Sequence, residues 1–344
     1  MTRCIALWDP EEERGGTTMR EDEDTHGENV RVRSFEVDSN FEGWRLDRFL
    51  CNRLGRISRD RANKIVKYGD VTVLPARRIK PSMRLRKGEV VVVRQQLPPE
   101  VVQDDEVEVL YTDGALVILN KPAGMLVHES ATVRLNTVQM YLKRAGEDDA
   151  EPVHRLDKDT SGVLVCARRR DLVPVLREAF ATTHPEKVYR ALVLDPEGRW
   201  QPGARDILET PLGLIDSEVL KLRMGGGRLS ATTHVQVLGE GAHEWGALKD
   251  LRVRIETGRQ HQIRVHLAME GTPIAGDKLY GKTDQFFIDI CDRPDDPELL
   301  KQLAFPRHAL HAWRMTLLHP DTQAPVTFEA PLPQLWDLYA RAEG

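Results

Sequence analysis

The sequence predicts a mixed α+β protein in which a small basic domain precedes a larger one, and three observations carry that prediction. Short apolar runs rich in β-branched residues recur at 115–119, 162–167, 188–194, 232–238 and 251–256, as interior or half-buried strands require. Helical stretches at 137–144 and 172–181 are interleaved with them. Charge is distributed unevenly: residues 44–96 hold fifteen Lys or Arg against four acids, a balance of +11, in a chain of net charge −5. With 344 residues and 40% hydrophobic content the chain can bury a sizeable core, and at roughly 100–200 residues per domain it holds two or three domains.

In chain order, residues 1–29 carry nine acids against three bases, which marks an acidic, disordered tail assigned to 1–33. A compact domain is expected over 34–96. There Leu46, Phe49, Leu50 and Leu54 recur at helical spacing, Ser58 can cap a second helix running through Ile65, and Gly69 can end it. Strands follow at 71–74 and 88–93. Arg56, Arg59, Arg61, Lys64 and Lys67 crowd around the start and one face of the second helix, the basic surface that phosphate binding asks for. Prolines at 98 and 99 and the acids after them place a linker at 97–106, and the larger domain is assigned to 107–340. Gly225, Gly226 and Gly227 read as a flexible hairpin tip, and 284–303, charged and broken by Pro294 and Pro297, as a surface insertion.

No apolar run approaches the roughly 18 residues of a membrane span, and the N-terminus has acids where a secretory apolar core would continue. A cytoplasmic protein without membrane contact is expected. Cys4, Cys51, Cys166 and Cys291 are scattered with no CxxC pair, so they suggest neither a disulfide framework nor a zinc knuckle.

The chemistry-bearing segment is HRLDKDTSG at 154–162, a charged turn directly before an apolar strand. Asp157 and Asp159 lie two apart, which in a turn serves a metal, Asx-turn hydrogen bonds, or one reactive carboxylate beside a structural one. A hard-cation loop needs several further acids that this segment lacks. A kinase catalytic loop fails on the intervening Leu156 and the missing Asn and glycine-rich loop. Two carboxylates in one turn are also poorly placed to flank a glycosidic bond. A second cluster, Thr257 to Gly281, contains a helix expected over 260–270, with Ile263 and Leu267 facing the core and Arg264 projecting at another angle. His261 and His266 are five apart, on different sides of that helix, and do not form a zinc pair. On the strand at 188–194, Tyr189 is flanked by Lys187 and Arg190, a setting in which its ring can meet an unpaired base.

Residues 44–95 resemble the small RNA-binding domain of the ribosomal S-four type. Taken in order, NKPAGMLVH (120–128), HRLDKDTSG (154–162), KVYRALV (187–193), GRQHQIRVHLA (258–268) and RHALHA (307–312) resemble the motif series of the RluA-type pseudouridine synthases, over about residues 107–335. The resemblance implies a catalytic domain built on a mixed, mainly antiparallel sheet with flanking helices, which isomerises chosen uridines of RNA with no cofactor and no metal. It implies that Asp157 is the catalytic carboxylate, Arg264 its partner, Tyr189 the base-stacking ring, and Arg155 the side chain filling the gap left by the extruded nucleotide. Lys187 is expected to contact RNA beside Tyr189. Ribosomal RNA of the large subunit is the first expected partner, transfer RNA the second, and a monomer the expected state. The basic segment alone would equally suit a non-catalytic RNA-binding factor of ribosome assembly. Two departures stand out: Gln260 where the family often has Thr, and the acidic 284–303 insertion.

Overall fold

The computed structural model describes residues 30–54, 59–68, 71–96, 100–130, 133–215, 223–243 and 246–337. They fall into two compact units divided between Glu100 and Val101.

In the smaller unit a three-stranded antiparallel sheet is formed by β1 (Val30–Glu36), β2 (Val71–Leu74) and β3 (Val90–Gln96), in the order β1-β3-β2. Helices α1 (Leu46–Arg53) and α2 (Arg59–Lys67) complete it. The spacing read from the sequence explains the packing: Leu46, Phe49 and Leu50 of α1 and Ala62 and Val66 of α2 are buried with Val71, Val73, Val91 and Val93. Fully burying one such aliphatic side chain is worth roughly 1.5–3 kcal/mol. Two boundaries move. The first strand begins at Val30, inside the stretch assigned to the tail, and Arg94, Gln95 and Gln96 belong to β3 because β1 pairs with them. Ser58 and Gly69, the expected helix start and stop, lie outside the described residues.

The larger unit is organised by a ten-stranded sheet. Its strands are β4 (Glu108–Thr112), β5 (Leu116–Lys121), β6 (Glu151–Pro152), β7 (Ser161–Ala167), β8 (Glu186–Leu194) and β9 (Arg205–Leu208). After a separate two-stranded ribbon of β10 (Leu212–Leu214) and β11 (Met224–Gly226) come β12 (Thr233–His243), β13 (Gly246–Ile255), β14 (Leu310–Leu318) and β15 (Pro325–Glu329). The main path is β4-β5-β7-β14-β8-β13-β12-β9, with β15 added to β14 and β6 to β7. Every pairing is antiparallel except β7 with β14, so the sheet is mixed and mainly antiparallel. Helices α3 (Val138–Arg144), α4 (Leu172–Thr182) and α5 (Gln262–Met269) flank it. The run at β7 is continuous because both faces are covered: Leu164 and Cys166 join one core cluster, Val163 and Val165 another.

One expectation is refined and one corrected. Residues 284–303 form helices α6 (Asp284–Asp292) and α7 (Pro297–Leu300) that bury Phe286, Ile290, Leu299 and Leu303 in a cluster of their own. Pro297 opens α7 at its first turn, where a missing N–H costs nothing. Nor is the glycine triplet a hairpin tip. Gly225 and Gly226 are strand residues of β11, and a Cβ on Gly227 would lie 2.3 Å from the Gly213 nitrogen, so backbone approach demands glycine there.

Gly162 is the strictest point of the sheet. Its φ is +112°, and a Cβ would meet the Ala312 carbonyl oxygen at 2.2 Å across the parallel β7–β14 pair. Gly162→Ala is expected to destabilise the larger unit by roughly 3 kcal/mol or more, read as a fall in urea midpoint. A change below about 0.5 kcal/mol would show that the two strands can separate freely here.

Candidate active site

The segment between β6 and β7 is a turn, closed by Thr160 N–H donating to the Asp157 carbonyl at 3.1 Å, and three other segments hold it. From the end of β5, the fully buried Lys121 ammonium donates to the carbonyls of Pro122 (2.8 Å), Met125 (2.7 Å) and Lys158 (3.1 Å). Gly124 N–H also reaches the Lys158 carbonyl, at 2.9 Å. Ahead of β14, His308 Nε2 pairs with Thr160 Oγ1 at 2.8 Å and Arg307 donates to the Asp159 carbonyl at 3.2 Å. His311 on β14 bonds Ser161 Oγ at 2.9 Å. Inside the turn, His154 Nε2 accepts from Val165 N–H at 3.0 Å and stacks on Phe180. The backbone around Asp157 is thus fixed by contacts from distant parts of the sequence.

Arg264 enters from α5. Its Nη1 donates to Asp157 Oδ2 at 2.8 Å, while Nε and Nη2 form a fork on Asp277, at 2.7 and 3.0 Å. Asp277 in turn accepts from the N–H groups of Leu279 (2.8 Å) and Tyr280 (3.0 Å). The guanidinium also lies over the Tyr280 ring, 5.1 Å from its centroid. His261 sits beside it with φ 53°, a left-handed conformation fixed by Gln262, whose side chain bonds Thr257, Arg259, Thr232 and Thr233. His261 Nε2 is 3.9 Å from Asp157 Oδ1.

Burial alone would raise the Asp157 carboxyl, but its cationic surroundings overcome that and hold it well below the usual carboxylate range. Arg264 is the neighbour that is charged at neutral pH, because burial pushes His261 down to about 4. Burial also raises the Tyr189 phenol, with a further contribution from the Asp157 charge, which places the ring within electrostatic reach of that carboxylate. Lys121 is pushed down to about 7 by burial, against the pull of Asp159 and Asp157. Among the described residues no three His, Cys, Asp or Glu side chains cluster as a metal site.

The sequence-derived candidates are brought together unequally. Asp157 and Arg264 are in direct contact, and Tyr189 is buried within electrostatic reach of Asp157. Arg155 is exposed on the same turn, and Asp159 is a structural member of it, 3.6 Å from Lys278. Lys187 is buried, its ammonium 5.9 Å from the Phe180 ring, and its amine is lowered by that burial, so it is not a solvent-facing phosphate contact. In the smaller unit Arg59 is tied to the fully buried Asp47, which also binds Arg45. Lys64 and Lys67 are exposed on α2; Arg61 lies on α2, and Arg56 is outside the described residues. The helix at Arg264 starts at Gln262, two residues later than expected, because His261 takes the left-handed conformation. Asp277, Lys121, His308 and Tyr280 were not foreseen. Lys121 and His308 lie inside the motifs 120–128 and 307–312, whose individual residues were not assigned roles, and a Gly-Asp turn is the local signal for Asp277.

The RNA pseudouridylate synthase family matches residues 115–269. A ribosomal large subunit pseudouridine synthase D from Zymomonas mobilis is 32% identical over 85% of this chain and 91% of its own length. The protein of the same name from Xanthomonas campestris is 33% identical over 88% and 90%. A ribosomal large subunit pseudouridine synthase C from Vibrio vulnificus is 30% identical over 88% and 94%. Among solved structures, human RNA pseudouridylate synthase domain containing 1 shares the fold, with a TM-score of 0.54 and 24% identity over 70% of this chain and 90% of that one.

The buried histidines set an acid limit on stability. His261, His308 and His311 are each lowered to about 4 and His154 to about 3, in every case chiefly by burial. Unfolded histidine takes its proton near ~6.5, so between about pH 6.5 and 4 the unfolded chain binds protons that the folded one refuses, and stability falls as pH falls through that window. The depressed Asp157 and Asp277 add their own losses only below ~3.8. Urea midpoints should therefore drop between about pH 6.5 and 5, and a flat profile there would show the histidines to be solvated.

Proposed function

The chain belongs to the RNA pseudouridylate synthase family, isomerases that convert uridine to pseudouridine, and on that premise we propose that it modifies specific uridines of large-subunit ribosomal RNA with Asp157 as the catalytic carboxylate. The supporting observation is the ionised Asp157, held by Arg264 at 2.8 Å on a turn locked from three sides. The reaction breaks the bond from uracil N1 to ribose C1′, turns the detached base, joins C5 to C1′, releases the C5 proton and returns a proton to N1. A carboxylate can drive the first step by adding to C1′ or by taking the C2′ proton, and either use needs it charged. At an effective dielectric of about 20, a unit ion pair near 4 Å is worth ~4 kcal/mol before desolvation, enough to offset part of the cost of enclosing Asp157.

In this reading the uridine leaves its stack, at a cost of a few kcal/mol that is smallest in unpaired RNA, and its uracil lies against Tyr189. Arg155, exposed on the same turn, fills the position it vacates. The unit up to Glu100 serves as an RNA-binding domain of the ribosomal S-four type, Lys64, Lys67 and the +11 charge of 44–96 supplying sequence-independent affinity. The names of the bacterial relatives favour large-subunit ribosomal RNA over transfer RNA. The protein acts as a cytoplasmic monomer without cofactor or metal; no described helix is long and apolar enough to cross a membrane.

Asp157→Asn is expected to lower tritium release from RNA labelled at uridine C5 by at least about 1000-fold, the scale of a lost nucleophile or base, while RNA affinity stays within about twofold. Retained turnover would remove Asp157 from the reaction. Loss of a mapped ribosomal pseudouridine in cells without the protein identifies the target, and an unchanged ribosomal map with a changed transfer-RNA map would reassign the substrate.

A further inference from the structure

His261 has a side chain and a backbone that the chemistry so far leaves unused. Its left-handed backbone is uncommon for a residue other than glycine and is held by the Gln262 network, an arrangement that costs energy and marks functional positions. Its ring is part of a short relay. Met224 N–H donates to the Tyr280 hydroxyl oxygen at 3.1 Å, and that hydroxyl lies 2.9 Å from His261 Nδ1. A hydroxyl oxygen can accept twice, so this contact alone admits either tautomer; with Tyr280 donating, Nδ1 accepts and the ring proton sits on Nε2, the form that the neighbouring carboxylate favours. The alternative tautomer would turn a lone pair toward the Asp157 carboxylate. The result is a donor, Nε2–H, and an acceptor, Asp157 Oδ1, facing each other 3.9 Å apart, too far to bond directly. Neither side chain is sealed, with 11% and 20% exposed.

A hydroxyl group, which donates and accepts at once, fits such a pair. We propose that His261 and Asp157 together read the ribose 2′-hydroxyl of the target uridine, His261 Nε2–H donating to its oxygen and Asp157 Oδ1 accepting its proton. The inference rests on the pseudouridine synthase reading and adds a specificity device to it. The 2′-hydroxyl is the group by which a protein tells RNA from DNA at one nucleotide. The same contact draws Oδ1 to the ribose face that carries C1′ and C2′. Arg264 keeps the other carboxylate oxygen, so the two jobs do not compete.

The test compares two RNAs that differ only at the mapped target, one with uridine and one with 2′-deoxyuridine, the latter scored as substrate and as competitive inhibitor. The wild-type protein should discriminate by more than about tenfold, since two hydrogen bonds, one of them to a carboxylate, go with the hydroxyl. His261→Asn tolerates the left-handed backbone but is too short to reach the hydroxyl. It should lose about tenfold on uridine and little on 2′-deoxyuridine, where its hydrogen bond is already absent. Equal wild-type handling of both RNAs, or losses that multiply in the variant, would overturn the proposal. Nitrogen-15 spectra of histidine-labelled protein, with His261 assigned by difference from His261→Asn, should show the Nε2–H tautomer, which Tyr280→Phe should disturb; an Nδ1–H ring in the wild type would also overturn it. If the wild type makes no pseudouridine on the uridine RNA while the tautomer is as described, the functional reading fails and the relay stands.

Discussion

The larger unit depends on one guanidinium shared between two carboxylates. Arg264 is buried and makes three ionic hydrogen bonds, one to Asp157 and two to Asp277. Arginine suits this because its planar fork stays charged at any relevant pH, whereas lysine would offer a single point of charge. Asp277 is the fixed end: it is fully enclosed, and its oxygens are occupied by Arg264 and by two backbone N–H groups. Asp157 is the partly exposed end, with one oxygen on Arg264 and the other directed toward His261 across a gap. The buried carboxylate Asp277 thus aims the guanidinium, and the guanidinium keeps Asp157 ionised. Removing one member of such a buried set typically costs 3–5 kcal/mol, because the remaining charge is left unpaired.

An ion pair of this kind works only if the backbones beneath it cannot drift. Asp157 lies on a turn, and turns are ordinarily mobile. Here the Lys121 ammonium gathers carbonyls from its own loop and from Lys158, while Arg307, His308 and His311 tie the following residues to β14. The close approach at Gly162 locks the start of β7 onto the same strand. Burying a lysine amine and several imidazoles carries a desolvation penalty, visible in their lowered proton affinities. That penalty accompanies a turn tied to two neighbouring segments by side-chain hydrogen bonds.

How much of this was legible in the sequence follows the range of the interactions. Alternation and helical spacing are local, so β2, β5, β7, β8, α3 and α4 emerged within a residue or two at most of their ends. The motif order singled out Asp157, Tyr189 and Arg264, and the structure joins Asp157 to Arg264. Asp277 and Lys121 were missed because nothing near them in sequence shows that they are buried: the partners of Asp277 include Arg264, thirteen residues away, and those of Lys121 include Lys158, thirty-seven away. His261 was placed inside a helix because its left-handed φ is imposed by the Gln262 network. The insertion at 284–303 was read by its charges, although Phe286, Ile290, Leu299 and Leu303 supply an apolar face of their own. Lys187 was read by its charge as well, and burial removed it from the surface.

The same distinction between where a charge stands in sequence and where it stands in the fold resolves the mismatch between a net charge of −5 and a nucleic-acid substrate. Nine of the acids lie in residues 1–29, outside the described residues. Several others are paired internally, Asp47 with Arg45 and Arg59, Asp250 with Arg190, Glu89 with Arg77, and Asp277 with Arg264, and each pair takes its arginine out of the balance together with the acid. Each such carboxylate is nearly or wholly buried, while Lys64 and Lys67 remain exposed. A phosphate backbone responds to charges within about a Debye length of ~8 Å at physiological salt, so the local excess on a surface outweighs the chain's total. Net charge therefore speaks to solubility, and the placement of each acid decides whether RNA can approach.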